Sequence, residues 1–191
     1  IFAIANYYKK EIKDVLFIQW LTDAQKMAGA DRIEEAYKWS NIIMKVVVPF
    51  NDPDMTGWSY FNLARIQDED KKDTLAIENY KKAIPYFEKG TDAKGLSYCI
   101  NNLASIYSKQ YQYAEAQHTF EKVLDIRIKV LKTDTSDEQK NLVARAYWGV
   151  GDAFYNQSKY KEAIEQYTKG AALIENARLL DCRILTAHLY R

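Results

Sequence analysis

Residues 95–128 read GLSYCINNLASIYSKQYQYAEAQHTFEKVLDIRI, and this stretch decides the fold because its pattern recurs on both sides of it. Ile100, Leu103, Ala104 and Tyr107 fall at i, i+3, i+4 and i+7, one apolar stripe of a helix with 3.6 residues per turn. Tyr111-Gln112-Tyr113 breaks the period, and Ala116, Phe120, Val123 and Leu124 open a second stripe of the same kind. Two short amphipathic helices joined by about four residues must lie antiparallel. Ala104 and Ala116 are the small residues at which the two backbones can approach, with Tyr107 and Phe120 filling the space beside them.

The same two small residues, twelve positions apart, return as Ala24 and Ala36, as Ala64 and Ala76, and as Gly151 and Ala163, which makes four repeats. Leu103-Ala104-Ser105-Ile106-Tyr107, followed by Tyr113, Ala116 and Phe120, resembles the tetratricopeptide repeat, whose signature sets a leucine, a small residue and an aromatic on the first helix and small and aromatic residues on the second. The resemblance implies an all-α fold, a right-handed α-solenoid of antiparallel helix hairpins. Whole repeats are expected over 15–49, 55–90, 95–132 and 136–176 of a single solenoid fragment, 1–191. Residues 1–13, where Ala3-Ile4-Ala5-Asn6-Tyr7 matches Ala76-Ile77-Glu78-Asn79-Tyr80, read as the second helix of a truncated repeat. Residues 177–191, with Ala187 and Tyr190 in register, read as the first helix of another, so the chain looks like a piece of a longer protein. Ala64 to Ala104 is 40 residues but Ala104 to Gly151 is 47, so the second helix of the third repeat should run on through Leu131. Repeats lengthened in this way resemble those of kinesin light chains and of bacterial Rap-type regulators.

Composition sets the outer limits. Hydrophobic residues are 48% of the 191, charged residues 28%, with only seven Gly and three Pro, so the chain can bury a core and is poor in linker residues. A net charge of +1 gives no electrostatic reason to expect nucleic acid. No apolar run approaches the roughly 20 residues that span a bilayer, and the longest candidate, Ile42 to Phe50, is cut by Lys45 and Pro49. Cys99 and Cys182 sit at equivalent places two repeats apart, too far for a disulfide that needs Cα atoms within about 7 Å. Both read as reduced core thiols, which fits a cytoplasmic location, with a periplasmic sensor region as the alternative.

Local departures carry their own expectations. The first repeat has Asp23 where a leucine is usual and Ser40 where an aromatic is usual, and its second helix should end near Val47, ahead of Pro49. After the turn cluster Asn51-Asp52-Pro53-Asp54, Asp54 or Thr56 is expected to cap the next helix. Gln67 replaces an aromatic. The run Asp68-Glu69-Asp70-Lys71-Lys72-Asp73 reads as a solvated loop, since carboxylates alternating with lysines do not converge at metal-ligand spacing. Gly90 and Gly95 should bracket a turn, with helix resuming at Leu96, and Ser136 with Gln139 has capping-box spacing.

No catalytic constellation emerges. His118 and His188 are the only histidines, 70 residues apart and without Cys or carboxylate partners at ligand spacing. There is no Gly-rich phosphate loop, nucleophile elbow or CxxC, so neither an enzyme activity nor a cofactor or metal is expected. The resemblance places function instead on a concave wall made by the first helix of each repeat. The residues expected there are Trp58, Phe61, Asn62 and Arg65, then Tyr98, Asn101, Asn102 and Ser105, then Arg145, Trp148, Asp152 and Tyr155. Aromatics, amides and a few charges suit an extended peptide or a partner helix, which needs flat apolar contact and main-chain donors and acceptors.

Asn62 and Asn102 each stand two residues before a small residue, and in tetratricopeptide proteins that bind peptides an asparagine there often holds the ligand backbone. The other reading is that either asparagine caps or bridges neighbouring helices. Two functions follow, an interaction module within a larger bacterial-type signalling or regulatory protein, or a receptor for a short signalling peptide of the Rap type. At the chain ends Phe2, Ile4, Tyr7 and Tyr8, and Leu185, Leu189 and Tyr190, lack a covering repeat, from which end-to-end homo-association is expected.

Overall fold

The computed structural model describes residues 17–29 and 32–174. They form the expected all-α solenoid of antiparallel helix hairpins: α1 (Phe17–Gly29) with α2 (Ile33–Val47), α3 (Pro53–Glu69) with α4 (Asp73–Lys89), α5 (Ala93–Lys109) with α6 (Tyr113–Leu131), and α7 (Asp137–Asn156) with α8 (Tyr160–Ala171). A 3-10 turn, Val48–Phe50, follows α2 and places Pro49 where its missing N–H costs nothing. The truncated end repeats, Cys182, His188 and the residues invoked for end-to-end association lie outside the described residues. The chain divides into two compact units, Ile1–Cys99 and Ile100–Arg191, with the division inside α5.

The small residues are the pivots. Ala24, Ala36, Ala64, Ala76, Ala104, Ala116 and Ala163 are each 0% exposed. Gly151 stands so close to the next helix that an added Cβ would lie 2.4 Å from Tyr167 Cε1. Around these pivots the first unit packs Ile43, Val47, Phe50, Met55 and Ile66, with Trp20 and Met27 against them. The second unit packs Phe120, Val150 and Ala153 beside Ala104 and Ala116, with Tyr107 and Leu124 at the margin.

Aromatic rings on the second helices seat against glycines. Phe87 lies where a Cβ on Gly57 would meet it at 3.0 Å and one on Gly95 at 2.5 Å, and Phe120 lies 2.6 Å from a Cβ position on Gly149. Any larger residue at these points would drive a ring out of its place. Helix α4 continues through Pro85, two residues before Phe87, although the proline removes one helical hydrogen bond.

Three local expectations need correction. The cap of α3 is Asp52, whose Oδ1 accepts from Met55 N at 3.0 Å with Pro53 at the first helical position, not Asp54 or Thr56. Asp54 instead accepts from Thr91 N and Thr91 Oγ at 3.1 Å, tying the loop after α4 back to α3. Helix α5 starts at Ala93, not Leu96, because Asp92 Oδ1 accepts from Gly95 N at 2.8 Å and starts the helix one turn earlier. Half of the charge run is helix ends, with residues 70–72 between α3 and α4. There Asp70 Oδ2 accepts from Tyr37 Oη at 2.9 Å and from Lys72 Nζ at 2.6 Å, so the run also fastens one hairpin to the next.

Elsewhere the local reading holds. Helix α2 ends at Val47, α6 runs to Leu131, and Ser136 Oγ accepts from Gln139 N at 3.4 Å while Asp134 takes the Ser136 N–H at 3.0 Å. Gln67, at a usual aromatic position, is buried and accepts from Asn79 Nδ2 at 2.8 Å, a polar pair that replaces a ring contact.

Cys99 is a free, buried thiol that donates to the Tyr80 carbonyl at 3.1 Å, and burial pushes its pKa from 9.0 up to about 12. At pH 8 iodoacetamide should leave Cys99 untouched in the folded chain and alkylate it fully after guanidinium unfolding, read by peptide mass mapping. Above pH 9 the unfolded thiol ionises while the folded one keeps its proton, so this group's contribution to stability falls as pH rises from 9 towards 12. Replacing Ala116 with Leu, at a position 0% exposed, should lower the unfolding free energy by about 1–3 kcal/mol, with an unchanged denaturation midpoint disproving the helix contact.

Candidate functional site

The three sets of residues read from the sequence lie on α3, α5 and α7, the first helices of their hairpins. On α3, Trp58, Phe61, Asn62 and Arg65 recur at helical spacing, but they are not equally open. Phe61 is 6% exposed, in tilted contact with Tyr80 at 5.7 Å, and supports the face from beneath. Trp58 is half-buried, edge-on to Phe61 at 5.1 Å and to Phe87 at 5.4 Å. Its Nε1–H donates to Asp92 Oδ2 at 2.8 Å, so the carboxylate that starts α5 also fixes the indole. The half-buried Arg65 guanidinium lies 5.9 Å from the Phe61 ring centroid, a cation–π contact that orients it.

Asn62 is the anomaly of this face. It is 4% exposed, and its Nδ2 has no hydrogen-bond partner. A buried donor left unmade costs about 1–3 kcal/mol, and such groups in folded proteins call for an explanation. The reading of Asn62 as a bridge between helices would require a bond that this nitrogen does not make.

On α5, Tyr98 belongs to the first unit and Asn101, Asn102 and Ser105 to the second. Tyr98 is half-buried with Lys94 Nζ 5.9 Å from its ring centroid. Asn101 and Asn102 are half-buried, while Ser105 Oγ donates to Asn101 O at 3.1 Å, a bond within the helix.

On α7, Arg145 is exposed. Trp148 and Tyr155 pack against the cluster of Ala163 and Tyr167, and Tyr155 meets Tyr160 edge-on at 5.4 Å. Asp152 Oδ1 accepts from Tyr167 Oη at 2.7 Å and so braces the hairpin. The structure therefore brings together Trp58, Phe61 and Arg65 on one helix, and Trp148, Asp152 and Tyr155 around Tyr167. Two bracing partners, Asp92 and Tyr167, are not among the site residues read from the sequence. The spacing of Asp92 from Gly95, a cap three residues from its target, was the available signal for the first.

Among the described residues no group of three or more His, Cys, Asp or Glu could hold a metal ion, and no helix is long and apolar enough to cross a membrane.

Family models described as tetratricopeptide repeat match residues 96–137, and 59–84 with 144–176. Among solved structures the chain is similar to BtubC (BKLC) from P. vanneervenii, with a TM-score of 0.82 at 14% identity over 98% of this chain and 77% of that one. It is similar to the TPR-like repeats of a putative kinesin light chain from Podospora anserina, with a TM-score of 0.70 at 16% identity over 90% of this chain and 85% of that one. It is also similar to a signal transduction ATPase with numerous domains from Pyrococcus horikoshii, described as having a tetratricopeptide repeat sensor. There the TM-score is 0.71 at 16% identity, over 99% of this chain and 29% of that one.

If the Asn62 nitrogen is an uncompensated donor, Asn62→Leu should raise the unfolding free energy by about 1–3 kcal/mol in urea denaturation. A loss of stability would mean that the amide makes a bond essential to the fold.

Proposed function

Because the chain belongs to the tetratricopeptide repeat superfamily, with repeats like those of kinesin light chain, we propose that it binds an extended peptide or partner segment through the first helices of its hairpins. Tetratricopeptide repeats serve as protein–protein interaction modules, and the fold is typically a non-catalytic scaffold. The observation that carries the finer reading is the Asn62 amide. Its nitrogen makes no internal bond, so turning it towards a ligand carbonyl breaks nothing, whereas most buried amides would have to lose a partner.

Trp58 and Arg65 on α3, Tyr98, Asn101, Asn102 and Ser105 on α5, and Arg145, Trp148 and Tyr155 on α7 are the proposed contact residues. Phe61 and Asp152 take a supporting part, since the first is buried beneath Arg65 and the second is engaged by Tyr167. The Asp92 bond to Trp58 supports this reading, because a ring already held in place loses little freedom on binding.

The setting we propose is a larger bacterial-type signalling or regulatory protein, in the way that a tetratricopeptide repeat sensor stands within the Pyrococcus ATPase. A receptor for a short signalling peptide is the alternative. The free Cys99 thiol fits a reducing, cytoplasmic compartment.

The test is panning of a random linear-peptide display library on the chain, with selected peptides then titrated by fluorescence anisotropy. Asn62→Ala combined with Asn102→Ala should weaken their binding at least tenfold with helicity by circular dichroism unchanged. Full affinity in the double variant would remove these residues from the site.

A further inference from the structure

The loop between α3 and α4 holds half of a contact that recurs in the second unit. Tyr37, one residue after Ala36, donates from Oη to Asp70 Oδ2 at 2.9 Å, and Asp70 stands six residues after Ala64. Lys72, eight residues after Ala64, places Nζ 2.6 Å from the same oxygen and 5.0 Å from the Tyr37 ring centroid. In the second unit Gln117 follows Ala116, and its Oε1 accepts from Gln157 Nε2 at 2.9 Å, with Gln157 six residues after Gly151. Lys159, eight residues after Gly151, donates to Gln157 Oε1 at 2.8 Å and lies 5.7 Å from the Phe154 ring centroid. Between the two loop residues of each set sits one residue in the left-handed region, Lys71 at φ 58° and Ser158 at φ 60°. That reversal lets the residues on either side of it meet.

The register, the loop conformation and the lysine are the same, and the charge is not. The first set is built on a carboxylate and the second on a carboxamide. We propose that these are two versions of one clasp between successive hairpins, and that the carboxylate version makes docking of the first described hairpin sensitive to ionic strength while the carboxamide version, whose bond between hairpins joins two uncharged groups, leaves the last one insensitive.

Lys72 and Asp70 side chains are 52% and 23% exposed, so dissolved ions reach the pair. Screening shortens to about 3 Å at 1 M salt, which weakens exposed pairs and leaves neutral hydrogen bonds unaffected. In keeping with the geometry, the hydrogen bonds from Lys72 and then Tyr37 hold the Asp70 carboxyl below its ordinary range. Nearby, Arg32 pairs with Glu35 at the start of α2, and Lys71 and Asp73 flank the clasp along its own loop and helix.

Hydrogen exchange read by mass spectrometry at one pH, in 20 mM and in 1 M NaCl, tests this. The amides of α1 and α2 should exchange about two- to fivefold faster in 1 M salt, while those of α8 keep their rates. Asp70→Asn keeps an acceptor for Tyr37 and removes the charge, and Lys72→Met removes the cation, so each should abolish the salt response of α1 and α2. Tyr37→Phe should speed exchange in α1 and α2 at both salt concentrations. An equal salt response in α8, no response in α1 and α2, or a response that persists in either the Asp70 or the Lys72 variant would overturn the proposal.

Discussion

A small residue, alanine or glycine, set against an alanine at the crossing of each hairpin is the contact on which the structure depends. Helices pack at about 8–10 Å according to the side chains between them, and only the smallest allow the near end of that range. With Ala104 and Ala116 at 0% exposed, the larger residues one turn away, Tyr107 and Phe120, close over the contact instead of wedging it open. The same distance then places Phe120 against Gly149 of the next hairpin, so one small-residue crossing sets the stage for the following interface. Stability in such an array is a sum of hairpins and their nearest neighbours.

Polar residues inside this apolar scheme are not scattered. Asn79 Nδ2 donates to Gln67, and Arg127 Nη1 donates to the Leu142 carbonyl at 2.9 Å, so these buried groups pair with one another or with the backbone. Asp92 serves two ends at once, the start of α5 and the indole of Trp58, and Asp152 holds Tyr167. The Asn62 nitrogen makes no hydrogen bond, on a helix face that also carries Trp58 and Arg65, and this supports the proposed binding surface.

Much of the fold was legible because the repeat is written in residue size. The twelve-residue step from small residue to small residue identified the hairpins, and the 47-residue step identified the long α6, since spacing along a helix maps directly onto faces. Helix starts were less legible. Asp52, Asp54 and Thr56 all have the side chains of a cap, and Pro53 at the first turn decided among them. Gly95 reads as a breaker in isolation, yet it lies inside α5 because Phe87 needs the space that a Cβ would fill.

The sequence by itself determined the repeat, the pairing of helices and the surface on which the candidate contact residues sit, because each follows from local periodicity and side-chain volume. Only the tertiary structure decided which of those residues face out and which hold the fold. Phe61 and Asp152 share the spacing of Trp58 and Tyr155, but their partners, Tyr80 and Tyr167, come from neighbouring helices that a single helix's pattern cannot reveal. Nor could the charge run at 68–73 show that Asp70 meets Tyr37, which lies 33 residues away along the chain. Burial and pairing are properties of what packs against a residue, and that is known only once the second helix is in place.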